Sequence, residues 1–349
     1  MSLFLFRPVV ARWQMAPTEQ QPEEQQMKAL MFKGANLPIE LVERPQPEPA
    51  PGELLVQLAA ASMNHRDVWM TQGLYPGLMP DVIPGSCGAG WVEDRPVVIN
   101  PNRGWGDNPD YPNQMTYRIL GMPDHGTFAE YIAVAPDRLQ DKPAHLTMAE
   151  AAALPLAGLT AYRALFTRAR LRAGDKVLIN GVGGGVALLA CQFALAAGAE
   201  VFVTSSSAEK IDRAVALGAS GGVDYREERW AGRFNREFGG VDVVVDSAGG
   251  DGFAELLKVC QPRARIVTYG GTHGKSTLSP QILFFKELEI YGSTMGNDDE
   301  FAAMVAFVAA KEIRPVIDAV YTLEQHAEAY ERMRLGQQFG KIVFQIRPD

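Results

Sequence analysis

Apolar and polar positions divide the chain into a β-rich first part and a second part in which strands and helices alternate. In the first part, short apolar runs bounded by proline and glycine predict strands at residues 28–32, 39–43, 53–60, 96–99 and 126–134. Alanine- and leucine-rich segments then predict helices at residues 149–154 and 156–168. This order predicts an α/β protein in which a β-rich domain precedes a series of βα units.

The second part has the pattern of a doubly wound parallel sheet. Residues 177–179 are a short apolar run typical of a buried parallel strand, and an alanine-rich helix at residues 188–197 ends at Gly198. Further strands are predicted at residues 201–204, 222–225, 241–246, 265–271 and 288–293, with helices at residues 208–217 and 299–312. A closing strand at residues 338–346 is predicted to return to the first domain.

A glycine-rich turn joins the first strand of this sheet to its helix. Such a turn places free backbone N–H groups where a dinucleotide pyrophosphate binds. Two registers of the dinucleotide-binding pattern fit. One starts at Gly181 and has Val186 in sixth place, and the other is Val182-x-Gly184-x-x-Ala187, which we favour because a small sixth residue suits close packing. An ordinary tight turn before a core helix is the alternative. The candidate cofactor-binding residues here are Gly181, Val182, Gly183, Gly184, Gly185 and Val186.

The end of the second strand indicates which dinucleotide binds. About twenty residues beyond the glycine turn, an Asp or Glu would bind a free ribose 2′-hydroxyl. This chain has Thr204, Ser205 and Ser206 there, followed by Lys210 and Arg213. Hydroxyls and cations suit a 2′-phosphate, so we predict NADP(H) rather than NAD(H). The alternative is that the two cations lie on a solvated helix face.

Composition excludes several other classes of protein. A net charge of −8 argues against nucleic acid or an anionic membrane as the main partner. Cys87, Cys191 and Cys260 lack CxxC spacing, which favours a reducing compartment, and we expect a cytoplasmic protein. No apolar run reaches the ~18 residues of a membrane span. Residues 1–26 include a polar, low-complexity stretch and are expected to form a disordered extension.

Six short motifs together resemble the medium-chain dehydrogenase/reductase superfamily from residue 27 onward, and most of all its zinc-free quinone-oxidoreductase-like branch. The motifs are Asn64-x-x-Asp67, Gly73-Leu-Tyr-Pro76, Gly126-Thr-Phe-Ala-Glu-Tyr131, Ala157-Gly-Leu-Thr-Ala-Tyr162, Gly184-Gly-Val-Ala187 and Phe339-Gly-Lys-Ile-Val343. The resemblance implies a GroES-like catalytic domain, residues 27–156 and 295–349, around a Rossmann domain, residues 157–294. It also implies a homodimer joined through the last Rossmann strand.

The resemblance assigns further residues to the cofactor. Lys210 and Tyr225 match positions that hold the 2′-phosphate of NADPH. Thr160 resembles a residue beside the nicotinamide, with a helix cap as the alternative role. Gly270, Gly271 and Thr294 are expected at strand ends that face the cofactor crevice.

The chain departs from its zinc-dependent relatives at the metal positions. Where those relatives carry the catalytic zinc ligands, this sequence has Asn64, Ser86 and Leu156, and Cys87 replaces a nearby acid. The long loop at residues 100–125, where a structural zinc would bind, contains no cysteine. We therefore predict that the protein binds neither a catalytic nor a structural zinc ion. We expect the loop at residues 100–125 to shape the substrate pocket.

Without a metal, hydrogen-bond donors must stabilise the negative charge on the acceptor oxygen. The candidates by motif position are Asn64, Arg66 and Tyr75, with Asp67 in the same motif. A local turn cap is the alternative for Asn64 and Asp67, and packing is the alternative for Tyr75. Conjugated acceptors spread charge, so reduction of quinones or activated alkenes and carbonyls is favoured. Two alternative functions are a zinc-free alcohol or aldehyde dehydrogenase and an NADPH-binding protein with little catalysis.

Overall fold

The computed structural model describes residues 25–348. The expected extension at residues 1–26 falls outside this range except for its last two residues, and Gln26 already begins the first strand. From residue 25 to residue 141 the structure contains one α-helix, α1 (His65–Thr71), a short 3₁₀ helix (Pro136–Arg138) and a series of strands. These are β1 (Gln26–Phe32), β2 (Ile39–Pro45), β3 (Leu54–Ser62), β4 (Cys87–Val92), β5 (Arg95–Ile99), β6 (Asn102–Arg103), β7 (Arg118–Ile119), β8 (Tyr131–Val134) and β9 (Leu139–Asp141).

The middle of the chain alternates helices with parallel strands. Its helices are α2 (Met148–Ala152), α3 (Pro155–Tyr162), α4 (Gly185–Ala196), α5 (Ala208–Ala216), α6 (Trp230–Phe238), α7 (Phe253–Val259) and α8 (Pro280–Phe285). Its strands are β10 (Lys176–Ile179), β11 (Glu200–Ser205), β12 (Gly221–Asp224), β13 (Val241–Asp246), β14 (Cys260–Thr268) and β15 (Glu289–Gly292). The predicted helix at residues 156–168 is divided, because Arg163–Arg168 continues α3 as a π-helix.

The last part returns to the β-rich domain. It consists of α9 (Asp298–Ala310), β16 (Ile317–Tyr321), α10 (His326–Arg334) and β17 (Lys341–Gln345). The sequence analysis did not predict α6, α7, α8, α10, β9 or β16, and it expected a loop where β6 and β7 lie. Within residues 25–348, no helix is both long and apolar enough to cross a bilayer.

The six-stranded parallel sheet has the order β12-β11-β10-β13-β14-β15. Alternate residues of β10 belong to the cores on the two faces of the sheet. Val177 and Ile179 lie in the same core cluster as Leu188 of α4, whereas Leu178 lies in the cluster of Phe202 and Phe234. The strand order reverses beside β10, which lies between β11 and β13. In open parallel sheets a crevice for ligands forms at this reversal, outside the carboxyl ends of the strands.

The second large sheet has seven strands and is mainly antiparallel. Its order is β16-β17-β3-β4-β5-β9, with β8 also paired to β3. The late strand β17 lies beside β3, with Val343 opposite Ser62, and the N–H of Met63 donates to Ile342 O at 2.9 Å. The predicted α/β class, with a β-rich GroES-like part and a doubly wound Rossmann sheet, is confirmed. The exact domain boundaries stay a prediction.

Candidate functional site

Two adjoining cavities occupy the crevice beside the glycine turn. The outer cavity, of about 710 Å³, lies against the glycine turn and the ends of β11 and β12. The inner cavity, of about 290 Å³, extends toward α1, α3 and β17. Gly181, Gly184, Ser247, Thr272 and Gln338 line both, so the two cavities form one continuous site.

The glycine turn lets a ligand approach the backbone closely. Helix α4 begins at Gly185, with Gly184 as its N-cap, so its first N–H groups have no partner within the helix. Gly181 and Gly183 have φ values of +73° and +142°, which side-chain-bearing residues rarely adopt. A Cβ at Gly183 would lie 3.0 Å from Lys210 Cδ. The turn is therefore shaped for an anionic group such as a pyrophosphate.

The outer cavity contains the residues predicted to select the cofactor. Ser205, Ser206, Lys210 and Tyr225 all line it. Lys210 Nζ donates to Gly336 O at 2.9 Å, and burial lowers the pKa of this lysine. The cavity also contains Asp251, Trp230 and His273, which the sequence analysis did not select.

The second predicted cation, Arg213, is placed differently. Its guanidinium lies 4.0 Å from the centre of the Phe339 ring, and it forms an ion pair with Glu209 one helical turn earlier. It lines neither cavity. Of the two cations in α5, only Lys210 lines the outer cavity.

The inner cavity combines apolar walls with a few polar groups. Its apolar lining includes Trp69, Ile119, Leu156, Met295 and Met333. Ile119 belongs to the long loop at residues 100–125, so this loop does form part of the wall. The polar lining includes Asn64, His65, Arg66, Thr160, Thr294 and Lys341.

Asn64 sits at the N-terminus of α1 and is held on several sides. Its backbone N–H donates to Asp67 Oδ2 at 2.8 Å, which forms a capping box at the start of the helix. Its side-chain Nδ2 donates to Cys87 Sγ at 3.2 Å, and its Oδ1 accepts from Lys341 Nζ at 2.7 Å. The side chain is buried but reaches the inner cavity.

The other candidates from the same motifs divide into two groups. Arg66 lines the inner cavity, donates to Ser86 Oγ and to Leu120 O, and lies 4.6 Å from the centre of the Tyr75 ring. Asp67 is buried, which raises the pKa of its carboxyl, and it lines neither cavity. Tyr75 is also outside the lining and packs against Arg66. Asp67 and Tyr75 therefore contact Asn64 and Arg66, which line the inner cavity, without lining it themselves.

The predicted nicotinamide end lies where α3 meets the ends of β14 and β15. Thr160 lines the inner cavity while its hydroxyl donates to Leu156 O at 2.8 Å. Gly270 and Thr294 line the same cavity, whereas Gly271 lies just beyond the lining. Gly185 and Val186 extend this lining from the start of α4.

The residue that sequence reasoning left without a role is Lys341. Lys341 belongs to the family motif Phe339-Gly-Lys-Ile-Val343, but the sequence did not predict that it is buried at the start of β17 or that it contacts Asn64. A signal was present in the sequence, because a lysine inside an otherwise apolar strand is rarely buried without a partner. Its partners could not be named, since they come from residues more than 270 positions earlier.

Two family models match the chain. Residues 50–144 match the alcohol dehydrogenase GroES-like domain, and residues 185–310 match the zinc-binding dehydrogenase family. The zinc-type alcohol dehydrogenase-like protein YogA of Leptosphaeria maculans is 35% identical over 92% of this chain and 98% of its own length. The quinone oxidoreductase of Mus musculus is 29% identical over 85% of this chain and 90% of its own length.

Solved structures share the fold over nearly the whole chain. An NAD-dependent alcohol dehydrogenase superposes with a TM-score of 0.85 at 34% identity, covering 92% of this chain and 99% of the other. The 2-octenoyl-CoA carboxylase reductase CinF, in complex with NADP and 2-octenoyl-CoA, has a TM-score of 0.83 at 26% identity. That match covers 93% of this chain and 88% of CinF.

The zinc in one of these family descriptions does not fit the residues present. An amide at Asn64, a hydroxyl at Ser86 and an aliphatic chain at Leu156 do not supply the N/S donors of a tetrahedral zinc site. Cys87 Sγ already accepts hydrogen bonds from Asn64 Nδ2 and the Leu156 N–H. Between residues 25 and 348, no three His, Cys, Asp or Glu side chains lie together in a metal-binding arrangement.

The family itself follows from the identity and coverage of these matches together with the two sheets and the crevice between them. The glycine turn, the GroES-like sheet that returns through β17 and the long matches to alcohol dehydrogenase-like proteins all agree. The chain belongs to the medium-chain dehydrogenase/reductase superfamily of oxidoreductases.

Proposed function

We propose that this protein is a zinc-independent, NADPH-dependent reductase of quinones or of conjugated alkenes and carbonyls. The observation that carries the proposal is the inner cavity. There Asn64 and Arg66 provide N–H donors within a largely apolar wall. Asn64 stands where zinc-dependent relatives carry a metal ligand.

The cofactor assignment rests on the outer cavity. Ser205, Ser206, Lys210 and Tyr225 would hold the 2′-phosphate, and the N–H groups at the start of α4 would hold the pyrophosphate. When bound at such a site, NADPH supplies a hydride. The NADP complex of CinF supports this assignment, whereas the name of the NAD-dependent alcohol dehydrogenase keeps NADH as the rival cofactor.

The residues of the inner cavity define what kind of acceptor is favoured. Reduction places negative charge on the acceptor oxygen, and fixed N–H donors stabilise that charge. Trp69, Leu156 and Met295 keep the surroundings apolar, which strengthens these hydrogen bonds. A conjugated acceptor spreads the charge, so it needs less stabilisation than a simple ketone does.

The names of two relatives agree with this acceptor class. One is a quinone oxidoreductase, and CinF was solved with a conjugated thioester, 2-octenoyl-CoA. The alcohol dehydrogenase-like name of the fungal relative favours the alternative, an NADP-dependent alcohol or aldehyde dehydrogenase on the same site. An NADPH-binding protein with little catalysis is the further alternative.

A panel of acceptors separates these possibilities. Purified protein with NADPH or NADH is assayed on quinones, conjugated ketones, conjugated thioesters, simple aldehydes and primary alcohols. Asn64→Ala should lower kcat on the preferred conjugated acceptor by about 100-fold or more, the usual effect of removing an oxyanion donor. Asn235→Ala is the matched control, because Asn235 lies on α6, lines neither cavity, and its side-chain amide donates to Lys258 O. Turnover of alcohols alone, or full activity of Asn64→Ala, would refute the proposal.

A homodimer through the last Rossmann strand is part of the proposal. β15 is an edge strand of the six-stranded sheet, so one side of its backbone is available for pairing with a second copy. Phe284 and Phe285 of the preceding helix α8 are exposed nearby in sequence. Light scattering should give a mass of two chains. A monomer at micromolar concentration would exclude this arrangement.

A further inference from the structure

Lys341 is a buried cation in the wall of the inner cavity. It opens strand β17, and only 3% of its surface is exposed. Its stem lies against the start of α4, where a Cβ at Gly185 would clash with Lys341 Cδ. The glycine turn therefore leaves room for this side chain as well as for a ligand.

The ammonium of Lys341 has specific partners. Nζ donates to Met63 O at 2.6 Å and to Asn64 Oδ1 at 2.7 Å. These bonds use two of its three N–H groups. The contact is possible because β17 pairs with β3, whose end leads directly into Met63 and Asn64.

This arrangement fixes which way the Asn64 amide points. An ammonium has only donors, so the amide must turn its oxygen toward Lys341. Its nitrogen then faces away, with one N–H on Cys87 Sγ at 3.2 Å and the other available to an acceptor in the inner cavity. A rotated amide would place its own N–H groups against the ammonium and present a carbonyl oxygen to the reacting oxygen.

We infer that Lys341 is a positioning residue that makes Asn64 a hydrogen-bond donor to the substrate. The inference rests on the proposed function, in which Asn64 stabilises the acceptor oxygen. It goes further by explaining why the amide presents N–H and not C=O. It also assigns the lysine of the Phe339-Gly-Lys-Ile-Val343 motif a role that acts through another residue.

The kinetic test compares Asn64→Ala, Lys341→Met and the double variant on the preferred acceptor. Lys341→Met should lower kcat about 10- to 100-fold, since a misoriented donor loses most of its effect. The KM for NADPH should change by less than about threefold, because Lys341 acts through Asn64 on the acceptor. The double variant should be no slower than Asn64→Ala alone, within about twofold. Effects that multiply in the double variant would overturn the inference.

A second variant keeps the ammonium paired in case Lys341→Met folds poorly. Asn64→Asp preserves the shape and offers Lys341 a carboxylate, but an ionised carboxylate has no N–H to donate. It should bind NADPH as the unmodified protein does and be as slow as Asn64→Ala. Activity of Asn64→Asp equal to that of the unmodified protein would show that the N–H is not used.

A spectroscopic readout separates failure of this inference from failure of the proposed function. In protein labelled with ¹⁵N at asparagine, the Asn64 side-chain amide signals are those missing from Asn64→Asp. They should shift in Lys341→Met and stay in place in Lys210→Met, whose lysine bonds elsewhere. If no acceptor is reduced, the proposed function fails while this measurement still tests Lys341. Unchanged signals in Lys341→Met would overturn the inference.

Discussion

Replacing Lys210 with methionine should weaken NADPH binding far more than NADH binding. The two cofactors differ only at the ribose 2′ position, and Lys210 lines the outer cavity together with Ser205, Ser206 and Tyr225. Methionine keeps a similar length and apolar stem, so the packing of that stem against Gly183 should change little. The substitution therefore removes mainly the charge.

The expected size follows from the contacts that are exchanged. A hydrogen bond between an ammonium and a phosphate contributes about 1.5–3 kcal/mol, which corresponds to roughly 10- to 150-fold in Kd. In the free protein, Lys210 Nζ already donates to Gly336 O at 2.9 Å, and this bond must be given up or shared. The loss should therefore lie near the lower end, about 10- to 30-fold for NADPH. NADH should change by less than about twofold, because it lacks the 2′-phosphate.

The assay is a fluorescence titration of each variant with both cofactors at fixed ionic strength. Arg213→Met is the matched control, since it removes a positive charge from the same helix at a residue that stacks on Phe339 outside the cavities. It should leave the ratio of the two affinities unchanged within about twofold, because its exposed charge is screened.

Two results would refute the reasoning. Equal losses of NADPH and NADH affinity in Lys210→Met would mean that the lysine does not face the 2′-phosphate. A loss of selectivity in Arg213→Met as large as that in Lys210→Met would mean that general charge, and not position, selects the cofactor.

Three further outcomes are expected. Burial lowers the pKa of Lys210, so its ammonium loses its proton below the ordinary lysine range. NADPH affinity should therefore fall as pH rises through that pKa, and an affinity that stays constant through the whole ordinary lysine range would contradict this. Arg163→Met breaks the buried 2.6 Å ion pair with Glu300 and should cost about 3 kcal/mol in urea unfolding. Arg334→Met, from an exposed pair, should leave the urea midpoint nearly unchanged. Burial raises the thiol pKa of Cys191 and Cys260 to about 12, so iodoacetamide at pH 8 should label them only after unfolding, as mass spectrometry would show.

Local sequence patterns were enough to predict the strands and the glycine turn that surround the candidate dinucleotide site. The glycine turn before α4, the apolar run of β13 and the hydroxyls at the end of β11 are each visible within a few residues. Most residues predicted to bind the cofactor do line the crevice, because parallel strands bring their carboxyl ends to one edge of the sheet. Their roles with NADPH stay predictions.

The sequence was weaker where helices are short or polar. α6 and α10 carry many charged residues and were not predicted, because their stability comes from a few buried contacts such as Phe234 and Met333. β16 was missed because its residues are only half-buried and its partner β17 lies twenty residues later. The break of the predicted helix into α3 and a π-helix also depends on tertiary packing, where buried Arg163 pairs with Glu300 of α9.

The sequence by itself determined the fold class, because hydrophobic periodicity and the glycine turn are patterns of short, fixed spacing. It also supplied the residue types Asn64, Ser86 and Leu156, which do not suit a zinc site. Only the tertiary structure decided which of two neighbouring cations faces the outer cavity, since Lys210 lines it whereas the Arg213 guanidinium lies over the Phe339 ring. It alone brought Lys341 to Asn64, across 277 positions of sequence. That contact depends on the pairing of β17 with β3. The sequence predicted that the closing strand returns to the first domain, but the choice of β3 as its partner depends on long-range packing of the folded chain.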